Sequence, residues 1–302
     1  MTIPTVPTVT LNDGTSMPLV AFGSGTKHRG TDASKHIADA IKAGFRHIDC
    51  AQMYKNEESV GKGIVESGVP RVELYITTKL DRLPPGSTVR DALKVSLTRL
   101  RTDYVDMFLV HVPVVHDDLE SVWRDMEACR LEGLTRSIGV SNFTPVFIER
   151  ILAIATVPPA VNQIELHPYV LKASLPILEY SRKQTIVVSS WGGLSSIARF
   201  SGGPADPVLS RIATRHSAAC GQAVTQAQVL QLWLRKKGIP YVTTTAKAER
   251  MAEYLWSLAL PDITNEDERE INEAGSLLHR RFLCLWMDDV VDNPAAEAPR
   301  LD

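Results

Sequence analysis

Asp49, Tyr54, Lys79 and His111 together hold the means for acid–base work on a carbonyl oxygen. A carboxylate can hold an ammonium, the ammonium can acidify a phenol, and an imidazole can orient the oxygen that receives the proton. An isolated phenol, with a pKa near about 10, is a poor acid at neutral pH, and a neighbouring cation is expected to lower that value. The set therefore suits proton donation to a ketone or aldehyde oxygen while a hydride reaches its carbon. Asp49 and Lys79 alone would be compatible with a plain buried ion pair; Tyr54 beside them favours chemistry.

Four such groups must be brought to one place, and the order of elements says how. Strand-like apolar runs fall at residues 19–22, 46–49, 74–78, 104–111, 137–140, 161–165, 186–190 and 241–244. Between and after them lie amphipathic segments at 32–43, 57–66, 87–100, 119–131, 145–155, 174–183, 225–237 and 248–257. Asn12-Asp13-Gly14 is a turn signal between two short runs, which predicts an N-terminal hairpin. Alternation of this kind implies a parallel sheet. Eight repeats without a linker favour a closed (β/α)8 barrel, one domain spanning residues 1–302. An open doubly wound sheet would call for GxGxxG after the first strand, and Gly23-Ser24-Gly25-Thr26-Lys27-His28 lacks the third glycine. In a barrel, chemistry gathers at the strands' C-terminal ends, where Asp49, Lys79, His111 and the loop residue Tyr54 are expected to converge.

Composition narrows the field. The 302 residues are 44% hydrophobic and 23% charged, with a net charge of −2, so no basic surplus points to nucleic acid. No run of about 18 apolar residues marks a membrane span, and the N-terminus carries no secretory pattern, so a cytoplasmic protein is expected. Cys50, Cys129, Cys220 and Cys284 are widely spaced, which disfavours a zinc site or a disulfide framework. Cys50, next to Asp49, is the one candidate for a reactive thiol. No strand-end His/Asp cluster has metal-ligand spacing, so no metal is expected and a metal-dependent hydrolase is a weak rival. His47 and His167 read as structural, and His116 as a solvated loop residue.

The chain resembles the aldo-keto reductases at five ordered places. Phe45-Arg46-His47-Ile48-Asp49-Cys50-Ala51 with Tyr54, Thr77-Thr78-Lys79, and Asp106-Met107-Phe108-Leu109-Val110-His111 carry the first three. Ile138-Gly139-Val140-Ser141-Asn142-Phe143 and Asn162-Gln163-Ile164-Glu165-Leu166-His167-Pro168 carry the others. The resemblance implies a reductase of aldehydes or ketones that uses NADPH. Tyr54 would donate the proton, Lys79 would tune it, Asp49 would hold Lys79, and His111 would orient the carbonyl. Ser141, Asn142 and Gln163 would hold the nicotinamide carboxamide, with Trp191 stacked beneath the ring. Asn142 and Gln163 could instead satisfy strand-end groups, and Trp191 could be ordinary core. Gly25, Thr26, Gly192 and Leu194 would also line the cofactor. Thr243, Thr244, Thr245, Lys247, Arg250 and Glu253 would meet its adenosine end.

Two departures from the family pattern stand out. Trp191-Gly192-Gly193-Leu194 replaces a Ser-Pro-containing turn, which predicts an unusually free loop over 192–204. Thr244 stands where many relatives have a lysine, with Arg250 retained and Lys247 one turn away. The stretch Thr243-Thr244-Thr245-Ala246-Lys247-Ala248-Glu249-Arg250 resembles a fungal subgroup of conjugated polyketone and ketopantoyl lactone reductases. Arg250 suits a 2′-phosphate through its planar fork of donors. The tail residues Phe282, Leu283, Leu285, Trp286 and Met287, within 282–292, would either cap the substrate or pack outside the barrel. A monomer needs no second copy to complete such a site. A tailoring reductase with one bulky substrate and a non-catalytic NADPH-binding regulator remain as alternatives.

Overall fold

A computed structural model of the chain describes residues 5–288. The hairpin pairs β1 (Thr8–Thr10) with β2 (Ser16–Pro18) antiparallel. Eight parallel strands then close into a barrel: β3 (Val20–Gly23), β4 (His47–Asp49), β5 (Tyr75–Leu80), β6 (Val105–Val110), β7 (Thr135–Ser141), β8 (Val161–Glu165), β9 (Val187–Trp191) and β10 (Tyr241–Thr243). Neighbours follow chain order, and β10 closes the ring against β3 and β9.

The strands are buried on both faces, which is why they read as near-continuous apolar runs. Alternation along β5 and β6 sends Tyr75, Met107 and Leu109 inward, where they meet Leu11 and Met17 of the hairpin with Ala160 and Val161. The hairpin thus plugs the end of the barrel where the strands begin. The same alternation carries Lys79 to the axis at the opposite end. The outward faces pack on the surrounding helices through one continuous core that includes Phe22, Phe45, Phe108, Trp123 and Trp233.

The helices are α1 (Ser34–Ala43), α2 (Glu57–Ser67), α3 (Val89–Leu100), α4 (Leu119–Leu131), α5 (Pro145–Leu152), α6 (Leu171–Lys183), α7 (Ser195–Ala198), α8 (Asp206–Cys220), α9 (Gln226–Lys236), α10 (Ala248–Trp256) and α11 (Asn265–Ser276). Capping boxes begin three of them: Thr88 with Asp91, Thr225 with Gln228, and Thr264 with Asp267. Each satisfies amide donors that the helix leaves open, an effect of about 1 kcal/mol per cap.

The sequence reading did not anticipate α8 and α11. Helix α8 buries Leu209, Ile212, Ala213 and His216 at helical spacing. Helix α11 is mostly charged and buries little beyond Ile271 and Ala274, so its capping box was its clearest signal. The predicted free loop over 192–204 contains the helical turn α7. Gly192 there has φ 70, with its carbonyl accepting from the Ser195 amide at 2.8 Å. A residue without Cβ is what that left-handed position requires, so this glycine fixes a turn rather than loosening one.

Candidate active site

Strand register brings the predicted residues to one rim. Asp49 lies opposite Gly23 and Thr77, Lys79 lies opposite Leu109, and the His111 amide bonds the Leu80 carbonyl at 3.2 Å. On the far side Ser141 pairs with Gln163, and Glu165 pairs with Trp191.

Lys79 is the centre of the arrangement. It is fully buried, and its Nζ donates to Asp49 Oδ1 at 2.5 Å and to the Cys50 carbonyl at 3.0 Å. Burial pulls its pKa down most strongly, but Asp49 and Tyr54 push back harder, and the balance rises to about 12. It is a cation throughout the ordinary pH range. The second oxygen of Asp49 accepts from Gln163 Nε2 at 2.9 Å, so both faces of the carboxylate are held.

Tyr54 follows in a short 3-10 turn, Gln52–Tyr54, with Lys79 Nζ 5.2 Å from its ring centroid. Its ring meets His111 edge-on at 5.6 Å and 83°. The net effect on the phenol departs from expectation. Burial raises its pKa more than Lys79 lowers it, so the proton is held more tightly than in water. Burial also drives the His111 imidazole well below its usual range, with Lys79 and Arg29 adding to the effect. His111 is therefore neutral near pH 7.

Ser141, Asn142, Gln163 and Trp191 form one hydrogen-bonded chain. Ser141 Oγ donates to the Gln163 carbonyl at 2.7 Å, and Asn142 Nδ2 donates to the His111 carbonyl at 3.0 Å. Trp191 Nε1 donates to Asn142 Oδ1 at 3.0 Å. Asn142 has φ 61, a left-handed conformation that costs energy for a non-glycine residue. Its neighbour Phe143 is clamped by Asn162, which donates to its carbonyl at 2.8 Å and accepts from its amide at 3.3 Å.

At the adenosine end proposed from sequence, Thr243 and Thr245 are buried, while Lys247 and Arg250 are exposed. The Thr244 hydroxyl is buried without a partner. Helix α10 starts at Ala248 with no side-chain cap, leaving its first amides open. Among the described residues, neither Lys247 nor Arg250 has a carboxylate at ion-pair distance. Glu253 is engaged elsewhere, its carboxylate accepting from Thr225 Oγ1 at 2.7 Å. Thr26 is exposed, Leu194 is half-buried, and Gly25 lies against Tyr54.

Other readings are corrected by burial. The Cys50 thiol is fully buried, donates to the Thr77 carbonyl at 3.1 Å and is pushed well up by burial, so it is not a reactive thiolate. His116 is half-buried rather than solvated, and burial holds it down at about 4. His47 and His167 have the structural settings expected of them, bonded to Thr77 Oγ1 at 2.8 Å and to Glu165 Oε1 at 3.2 Å. Among the described residues no cluster of three or more metal-ligating side chains occurs, and no helix is long and apolar enough to cross a membrane.

Sequence reasoning missed Glu165 and Asn56. Glu165 is fully buried, and its carboxylate accepts from the Phe282 amide at 3.0 Å and the Leu283 amide at 3.1 Å. It ties the C-terminal tail to the rim. The tail then divides: Trp286 and Met287 are buried, Trp286 meeting Phe147 edge-on at 5.9 Å, while Leu283 and Leu285 stay exposed. The tail segment 289–292 lies outside the described residues.

The chain is similar to known proteins along most of its length. Residues 19–272 match the model of the aldo/keto reductase family. The chain is 36% identical over 295 residues to the NAD/NADP-dependent indole-3-acetaldehyde reductase of Schizosaccharomyces pombe, covering 91% of this chain and 98% of that one. It is 37% identical over 247 residues to glyoxal reductase of Bacillus subtilis, covering 82% and 85%. The crystal structure of a Bombyx mori aldo-keto reductase in complex with NADP superposes with a TM-score of 0.80, at 30% identity, covering 90% of this chain and 93% of that one.

Proposed function

The chain belongs to the aldo/keto reductase family, and from that premise we propose that it reduces an aldehyde or ketone, dicarbonyls included, to an alcohol with NADPH. The observation that carries this is the placement of Lys79 Nζ on Asp49 at 2.5 Å and 5.2 Å from the Tyr54 ring, with neutral His111 edge-on to the same ring.

A nicotinamide dinucleotide held by these residues would supply the hydride for the carbonyl carbon. Tyr54 gives its phenolic proton to the carbonyl oxygen. His111, uncharged, orients that oxygen as a hydrogen-bond partner without competing as an acid. Lys79 stabilises the charge left on the Tyr54 oxygen, and Asp49 with Gln163 keeps Lys79 in place. Charges fixed before reaction need no rearrangement as the oxygen develops charge, which is the source of their effect.

The residues present suit a nicotinamide dinucleotide. Trp191 offers an aromatic face whose indole is pinned by Asn142, and Ser141, Asn142 and Gln163 are amide and hydroxyl groups able to exchange partners with a carboxamide. The open amides of α10, the unpartnered Thr244 hydroxyl, Lys247 and Arg250 suit a phosphate. That concentration of cationic and donor groups supports NADPH over NADH. The run Thr243–Arg250 supports kinship with the polyketone and ketolactone reductases as the finer substrate assignment.

The test is oxidation of NADPH and of NADH with glyoxal, indole-3-acetaldehyde and cyclic vicinal diketones, run beside Tyr54→Phe and Arg250→Ala. Turnover that collapses in Tyr54→Phe, with an NADPH preference that shrinks in Arg250→Ala, is expected. Equal turnover by Tyr54→Phe refutes the proton-donor assignment, and an unchanged cofactor preference in Arg250→Ala refutes the phosphate assignment.

A further inference from the structure

Tyr54 is held from behind by a second loop, and one buried amide holds that loop. The loop between β3 and α1 passes directly over the phenol end of the ring. A Cβ on Gly25 would stand 2.9 Å from Tyr54 Cζ and 3.0 Å from Cε2, so the backbone itself packs on the ring. Asn56, buried and two residues beyond Tyr54, spends both amide hydrogens on this loop. Its Nδ2 donates to the Ser24 carbonyl and to the His28 carbonyl, each at 2.8 Å. The two acceptors flank Gly25, so the span that touches the ring is fixed at both ends. Lys55, at φ 54, turns the chain between Tyr54 and Asn56, and the Gly30 amide adds a bond to the Tyr54 carbonyl at 2.8 Å.

We propose that Asn56 is a positioning residue for the proton donor: it presses Gly25 onto the Tyr54 ring and so fixes where the phenolic hydrogen points. This rests on the reading of Tyr54 as donor. A hydroxyl must lie within hydrogen-bond reach of its acceptor, and small misplacements of a reacting group are costly in rate. The ring is bounded by Lys79 and by His111; Lys79 hydrogen-bonds its phenol end, and the Gly25 backbone packs against that same end. Asn56→Ala removes the clamp while leaving Tyr54, Lys79, Asp49 and His111 in sequence. Asn56→Ser likewise removes the Nδ2 group that bonds both carbonyls at once.

The measurement is kcat with saturating NADPH and saturating carbonyl, in H2O and in D2O, on protein shown by circular dichroism to be folded at the assay temperature. Asn56→Ala is expected to lose at least tenfold in kcat, with carbonyl KM changed less than threefold and a larger solvent isotope effect as proton transfer becomes limiting. A purely structural Asn56 would lower the melting temperature and leave kcat and the isotope effect of the folded protein untouched, which would overturn the proposal. If Asn56→Ala does not fold, Asn56→Ser decides by the same criteria. Tyr54→Phe run alongside separates the two levels. Retained turnover there removes the donor reading itself. An inactive Tyr54→Phe with wild-type kcat in the folded clamp variants removes only the role of Asn56.

Discussion

Replacing Lys79 by methionine removes the charge at the centre of the site while keeping an unbranched chain of similar reach. With the ammonium 5.2 Å from the Tyr54 ring centroid, a developing phenolate loses an attraction of about 3 kcal/mol at an effective dielectric constant of about 20. That corresponds to a rise of about two pKa units at Tyr54 and a fall of about 100-fold in kcat. A second effect acts on folding. Asp49 is buried, and without Lys79 its one hydrogen-bonding side chain among the described residues is Gln163. Breaking a buried pair from one side costs about 3–5 kcal/mol of stability. Urea titration measures the second effect and sets conditions under which the variant is fully folded; stopped-flow NADPH oxidation at saturating carbonyl then measures the first. A folded Lys79→Met with kcat within threefold of the native protein would refute the electrostatic reasoning, because the distance allows no such small effect.

Two further predictions follow from burial. Because burial outweighs Lys79 at Tyr54, kcat/KM for reduction should stay level up to pH 10 and decline only above it; a basic limb near pH 8 would show that the cation dominates instead. His47 and His116 are both depressed to about 4, below an unfolded value of about 6.5. Between those values the unfolded chain binds protons that the folded chain refuses, so stability is full above about pH 6.5 and falls as pH falls, by about 1.4 kcal/mol per pH unit for each histidine. Urea midpoints at pH 7, 6 and 5 check this, and a midpoint that does not drop would contradict it.

The strand ends were legible because parallel barrel strands are buried on both faces and leave near-continuous apolar runs, several of which meet a polar or charged residue at or near their C-terminal ends. Asp49 and Lys79 were readable for that reason: a carboxylate and an ammonium at the ends of apolar strands need one another. Glu165 carried the same signal, a carboxylate within a buried strand, but apart from His167 its partners are backbone amides more than 100 residues away, which have no sequence signature. Asn56 was hidden for a related reason, since a clamp on two carbonyls makes no demand on the side chains it holds. Helix α11 was obscured by its thin apolar stripe. The direction of the Tyr54 shift depends on the contest between desolvation and a neighbouring charge, and only the degree of burial decides it.

Attachment through Glu165 has an evolutionary consequence. The carboxylate grips main-chain N–H groups, which every residue except proline supplies. Position 283 can therefore take any side chain but proline without losing its mooring. Exposed Leu283 and Leu285 sit on a segment whose fastening is indifferent to their identity. Recognition and fastening are thus assigned to different atoms of the same stretch of chain, and descendants could explore new side chains beside the rim while inheriting the knot unchanged.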